Sequence, residues 1–245
     1  MKKSLFTLAL AAASLAAAAQ SKEGVSQTTA AQAASAPAAA LASPAPAGYA
    51  DLLGATIAQV MRTGDAAELQ ALAAKLERAA TVAPADWLPR YYQAYALVVS
   101  AFQSKEATAA KDQVLDRAES ALAQARRLKG DESELLALQA YLYQARLSFE
   151  PMVRAQEYLP KVTDAVDQAE ALNHANPRPY LIEANNVYHT PAAYGGGAAT
   201  ARPLYEQAKV RFEAFRPVSP LAPNWGQELL LGRLKQYEAP ATATK

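Results

Sequence analysis

From Tyr49 onward the apolar positions recur with helical period, as in Ala118, Leu122 and Ala125, or Ala165, Ala169 and Leu172. The pattern predicts helices at 49–63, 65–82, 86–104, 107–129, 131–148, 160–174, 177–189, 199–215 and 224–237. Most breaks have a local cause. Gly64-Asp65 reads as a C-cap glycine followed by an N-cap aspartate. Lys129-Gly130-Asp131 repeats that logic, with Arg126, Arg127 and Lys129 at a negative helix end and Asp131, Glu132 and Glu134 at a positive one. Pro84 and Asp86 part the second and third helices, and Pro151 and Pro160 are expected to bracket an irregular stretch. Pro203 is expected to kink the first turns of the eighth helix.

Before Tyr49 the periodicity is missing. Lys2 and Lys3, the apolar run Leu5 to Leu15 and the small residues Ala17-Ala18-Ala19 have the order of a secretory signal peptide spanning 1–19. Residues 20–48 are Ala, Ser, Gln, Thr and Pro with few large side chains, so they read as a disordered linker. The helical domain then covers 49–237, and 238–245 is a flexible tail. The expected location is exported, either periplasmic or secreted, with no stable membrane insertion once the signal is removed.

The helices also echo one another. Tyr92-Gln93-Ala94-Tyr95-Ala96-Leu97 heads one helix and Leu138-Gln139-Ala140-Tyr141-Leu142-Tyr143 a later one. Leu53-Gly54 lies in the first helix, and Asn176-Pro177-Arg178-Pro179-Tyr180 opens a last unit that closes with Ala208 and Phe212. This alternation of small and large residues resembles the tetratricopeptide repeat, whose helix–turn–helix units run to about 34 residues. The glycine of that repeat's first helix is Ala in the middle units here, and the spacing is longer. The resemblance implies an all-α fold, a right-handed α-solenoid of about four helix pairs with a C-terminal capping helix. A short connector, Thr190-Pro191-Ala192-Ala193-Tyr194-Gly195-Gly196-Gly197, is similar to a turn of some transport-associated exported members.

Composition narrows the chemistry. The formal net charge is +1, and without Lys2 and Lys3 there are 22 basic residues against 23 acidic ones. No basic face is implied, so no nucleic-acid partner is expected. There is no cysteine, hence neither a thiol nucleophile nor a disulfide. No nucleophile elbow, zinc-binding helix motif or phosphate loop is present, and the two histidines, His174 and His189, lie far apart. The chain is therefore read as a non-enzyme with no cofactor and no metal site. Asp112/Asp116/Glu119 and Asp164/Asp167/Glu170 read as solvated helix faces.

Tyrosines are the remaining signal: Tyr91, Tyr92 and Tyr95 crowd one helix, Tyr141 and Tyr143 another, Tyr180 and Tyr188 a third. The tetratricopeptide resemblance would line a concave groove with Tyr91, Tyr95, Tyr141, Gln144, Asn185, Tyr188 and His189. Tyrosine combines large area with a hydroxyl, which suits binding. The main expectation is thus an adaptor or scaffold that holds a protein or peptide segment in the groove. The alternative is a small-ligand-binding or transport-associated protein with a pocket near Tyr188, His189 and Tyr194.

Overall fold

The computed structural model describes residues 45–238, and these form helices joined by short connections, with no strand among them. The signal-peptide reading and most of the linker and tail readings lie outside the described residues. The helices are α1 (Tyr49–Arg62), α2 (Ala66–Val82), α3 (Leu88–Gln103), α4 (Thr108–Arg127), α5 (Glu132–Phe149), α6 (Pro151–Leu172), α7 (Arg178–His189), α8 (Ala198–Ala214) and α9 (Gln227–Glu238). The two aspartate N-caps follow the sequence, but the C-cap glycines do not: α1 ends at an extended Thr63, and after α4 it is Lys129, at φ +60°, and not Gly130 that takes the left-handed position. The Asp65 carboxylate accepts the Glu68 backbone N–H at 2.7 Å, and the Asp131 carboxylate accepts that of Glu134 at 3.0 Å. Gly130 is needed for space: a Cβ there would stand 2.7 Å from the Trp87 ring.

Each helix packs on its successor, and α1, α3, α5 and α7 also touch in sequence, forming an inner row. Fully buried Leu69, Leu76, Leu97, Leu115, Leu122, Leu135 and Leu138 fill the interior. Burying each stabilises the fold by about 1.5–3 kcal/mol. Ala94, Ala96, Ala118, Ala125, Ala137 and Ala140 are wholly buried between them, and their small size lets the backbones approach.

Two expected boundaries differ. The stretch between Pro151 and Pro160 is helical, not irregular: α6 begins at Pro151, and Pro160 lies inside it. Pro151 occupies a first-turn position, where its fixed φ suits a helix and its missing N–H costs nothing. The single hydrogen bond lost at Pro160 is outweighed by packing on α5. The last helix begins at Gln227 rather than 224, because residues 215–226 run as an irregular strap, with a turn closed by the Ala222 N–H on the Ser219 carbonyl, ending at Gly226, where φ is +107°. The acidic triplet Asp112, Asp116 and Glu119 is likewise no free solvated face. Arg146 donates to all three, at 3.3, 2.6 and 3.2 Å, and Arg154 clamps Asp112 at 2.6 Å, tying α4, α5 and α6 together. The hydrogen bond from Arg154 holds the Asp112 carboxyl below the usual range.

Candidate functional site

The inner row does not face solvent along its tyrosines, because the strap lies on it. Tyr92 Oη donates to the carbonyls of Leu221 (3.2 Å) and Ala222 (2.9 Å), and Arg178 donates to the carbonyl of Pro223. The Trp225 indole is stacked between Tyr95 (centroids 5.2 Å apart, planes 29°) and Tyr141 (5.3 Å, 17°). Its N–H donates to Tyr91 Oη at 2.7 Å. Beneath this, Arg178, which has no exposed surface, pairs with Glu134 at 2.8 Å. Burial pushes the Glu134 carboxyl up to about 7, against the pull of Arg178. Tyr91 is fully buried and Tyr95 nearly so; Tyr141 is half-buried against Trp225; Gln144 is buried, its amide donating to the Ile182 carbonyl at 2.6 Å. These four of the seven residues singled out by sequence therefore line a surface that the chain itself covers.

The other three stand together elsewhere. Asn185, Tyr188 and His189 lie on the last two turns of α7, where α8 and α9 converge. Tyr205 of α8 donates to Asn185 Oδ1 at 2.7 Å. Tyr188, Tyr205 and Tyr237 form an aromatic triangle with centroids 6.1–6.4 Å apart. The Arg233 guanidinium lies 4.0 Å from the Tyr188 ring centre and that of Arg202 5.8 Å from the Tyr237 ring. Neither arginine forms an ion pair among the described residues. His189 is exposed and sits edge-on to Tyr188 at 5.0 Å. Desolvation, then the charge of Arg233, lowers its pKa and so favours the neutral imidazole. Tyr194, at 82% exposure, stands in solvent on the following turn and not in a closed pocket.

That turn is shaped by its glycines. Gly195 and Gly197 take φ of +84° and +97°, and Gly196 lies so close to Thr190 and the Val187 carbonyl that a Cβ has no room. Sequence reasoning missed Arg202, Tyr205, Arg233 and Tyr237. Their signal was present: Arg233 and Tyr237 are spaced i, i+4, and Arg202 and Tyr205 i, i+3, each pair sharing one face of its helix. The arrangement offers two half-buried tyrosine rings set edge-on to each other, two arginines with no carboxylate partner among the described residues, and one exposed imidazole. That combination suits a flat, acidic ligand carrying a metal ion.

Neither a family model nor a curated protein matches the chain. Among solved structures it is similar to the HusA haemophore from Porphyromonas gingivalis, with a TM-score of 0.70 and 30% identity. The match covers 82% of this chain and 100% of that one. The likeness to a haemophore overturns the expectation of an adaptor that grips a protein or peptide in its groove, and the strap occupying that groove agrees with the correction. With that identity sustained over the whole length of its neighbour, the chain belongs to the same family as the HusA haemophore.

Proposed function

We propose that this protein is an exported haem-binding protein that takes its ligand at the α7–α9 end, against Tyr188, His189, Arg202, Arg233 and Tyr237. The observation that carries the reading is the exposed His189 edge-on to Tyr188, with Arg233 over the same ring, in a relative of a haemophore. A porphyrin is a flat apolar disc with two carboxylates and a central metal. The half-buried Tyr188 and Tyr237 rings would give the disc apolar contact, Arg202 and Arg233 would meet its carboxylates without first having to break an ion pair, and His189 would supply a nitrogen to iron. No redox or bond-breaking step is part of this role. Binding, orientation and exclusion of water are what these residues do.

Two supporting readings belong with it. The row of α1, α3, α5 and α7, each backed by its successor, supports a tetratricopeptide-like solenoid of about four pairs. The leader-like N-terminus and the haemophore kinship support export, and no helix among the described residues is long and apolar enough to cross a membrane.

The test is a spectrophotometric haemin titration of the chain from Gln20 onward. Saturable one-to-one binding with a shifted Soret band is expected. His189→Ala should change the band and weaken haemin binding about tenfold, yet leave metal-free protoporphyrin binding nearly unchanged. Arg202→Met with Arg233→Met should weaken both ligands alike. No saturable binding by the wild type, or His189→Ala, Arg202→Met and Arg233→Met variants indistinguishable from it, would overturn the assignment.

A further inference from the structure

The ligand site draws two of its side chains from α9, the element least able to hold its own position. It has 12 residues, a length that is marginal for an isolated helix in water. It buries only Leu230 and Leu234 against α7 and α8, and leaves Leu229 and Leu231 exposed at 47% and 42%. At its far end, among the described residues, one hydrogen bond ties it down, from Tyr237 Oη to the Ala198 carbonyl at 2.7 Å.

Its near end is held quite differently. Gly226 begins the turn into α9 at φ +107°, packed so closely that a Cβ would lie 2.8 Å from Phe212 and 3.2 Å from Leu181. The residue before it is Trp225, 2% exposed, stacked on both faces and hydrogen-bonded through its indole N–H. Upstream, the strap carbonyls are held by Tyr92 and Arg178, while Val218 in its middle is 98% exposed and untethered. The fixed part of the strap is thus its last six residues, 221–226, immediately before α9.

We infer that Trp225 is a positioning residue for the ligand site: wedged between Tyr95 and Tyr141, it fixes the start of α9 and so sets Arg233 and Tyr237 against Tyr188. The inference rests on the haem-binding reading for its functional consequence, and on the strap geometry alone for its mechanical one. The groove expected to hold a partner then has a different use. It holds the chain's own segment and carries the order of α3 and α5 across to the site on α7–α9.

Two readouts separate these layers. The first is amide hydrogen exchange over Gln227–Glu238, which needs no ligand. Trp225→Ala should raise exchange in α9 at least tenfold more than it raises exchange in α3–α6, and Trp225→Phe should restore most of that difference. The second is haemin affinity, expected to fall about tenfold in Trp225→Ala and to recover in Trp225→Phe, with His189 untouched in both. Unchanged exchange in α9 would overturn the inference, as would raised exchange with unchanged haemin affinity. An equal rise in exchange across α3–α6 and α9 would show that Trp225 is a core residue with no positioning role, and would equally overturn it. If the wild type takes up no haemin, the haem-binding reading falls, and exchange in α9 alone decides the mechanical claim.

Discussion

At the residue scale the most consequential pair is Glu134 and Arg178. Both are buried, and the groups facing the carboxylate are Arg178 from α7, Tyr91 from α3 and Asp131 at the cap of its own helix. Desolvation outweighs the arginine, so the carboxyl is pushed up to about 7 in the fold, above the ordinary carboxylate value of about 4.5. A carboxyl with a raised pKa binds its proton more tightly folded than unfolded. Its stabilising contribution is therefore complete below about 4.5 and fades as pH rises through about 7. Urea midpoints should fall across that window more steeply in the wild type than in Glu134→Gln, which keeps an acceptor for Arg178 without the titration. A wild-type profile no steeper than the variant's would sink this account. Asp112 acts in the opposite sense: its lowered pKa gives stability that is present above the unfolded carboxylate range and lost on acidification through the folded value. The tyrosine crowding that flags this region was legible in sequence. Its closing partner was not, because Trp225 lies 134 positions from Tyr91 and no local pattern joins them.

At the scale of elements, caps and periodicity were informative, and proline was misleading where packing overrode it. Asp65 and Asp131 cap as their spacing predicts, whereas Pro160 sits within α6 because the helix is fixed along its length by α5. The acidic triplet on α4 looked like solvated surface because its partner Arg146 belongs to another helix. The glycine turn between α7 and α8 gives a sharper test of local reasoning, since its glycines are required for different reasons. Gly195 has open space but positive φ, so Gly195→Ala should cost only about 1 kcal/mol. Gly196 has no positive φ but no room, so its Ala variant must shift Thr190 or the end of α7, at roughly 1–3 kcal/mol. Thermal unfolding should rank the two in that order, and only Gly196→Ala should also weaken haemin binding, because His189 precedes the displaced turn. Equal melting losses, or the reverse order, would contradict the geometry.

For the whole molecule, the all-helical plan was readable from one sequence because small and large residues alternate with helical period. The site was half readable. Asn185, Tyr188 and His189 came from the tyrosine-rich helix, but their partners sit on α8 and α9, and the last helix looked like a simple cap. The missing information was the path of 215–226, a segment rich in proline with no periodicity of its own. That path makes a prediction about integrity. An array whose inner row was complete in itself would survive removal of the strap and α9. In this chain the inner row presents Tyr92, Tyr95 and Tyr141 to the strap, and Arg178 would lose its contacts with Pro223 and Trp225. Losing the Trp225 contacts alone should cost about 3–5 kcal/mol, the range for deleting a buried aromatic. A chain ending at Phe215 should therefore keep most of its helical circular dichroism, bind a hydrophobic dye and unfold at a clearly lower urea concentration. An unchanged midpoint with no dye binding would mean that the inner row is self-sufficient and that the strap merely rests on it.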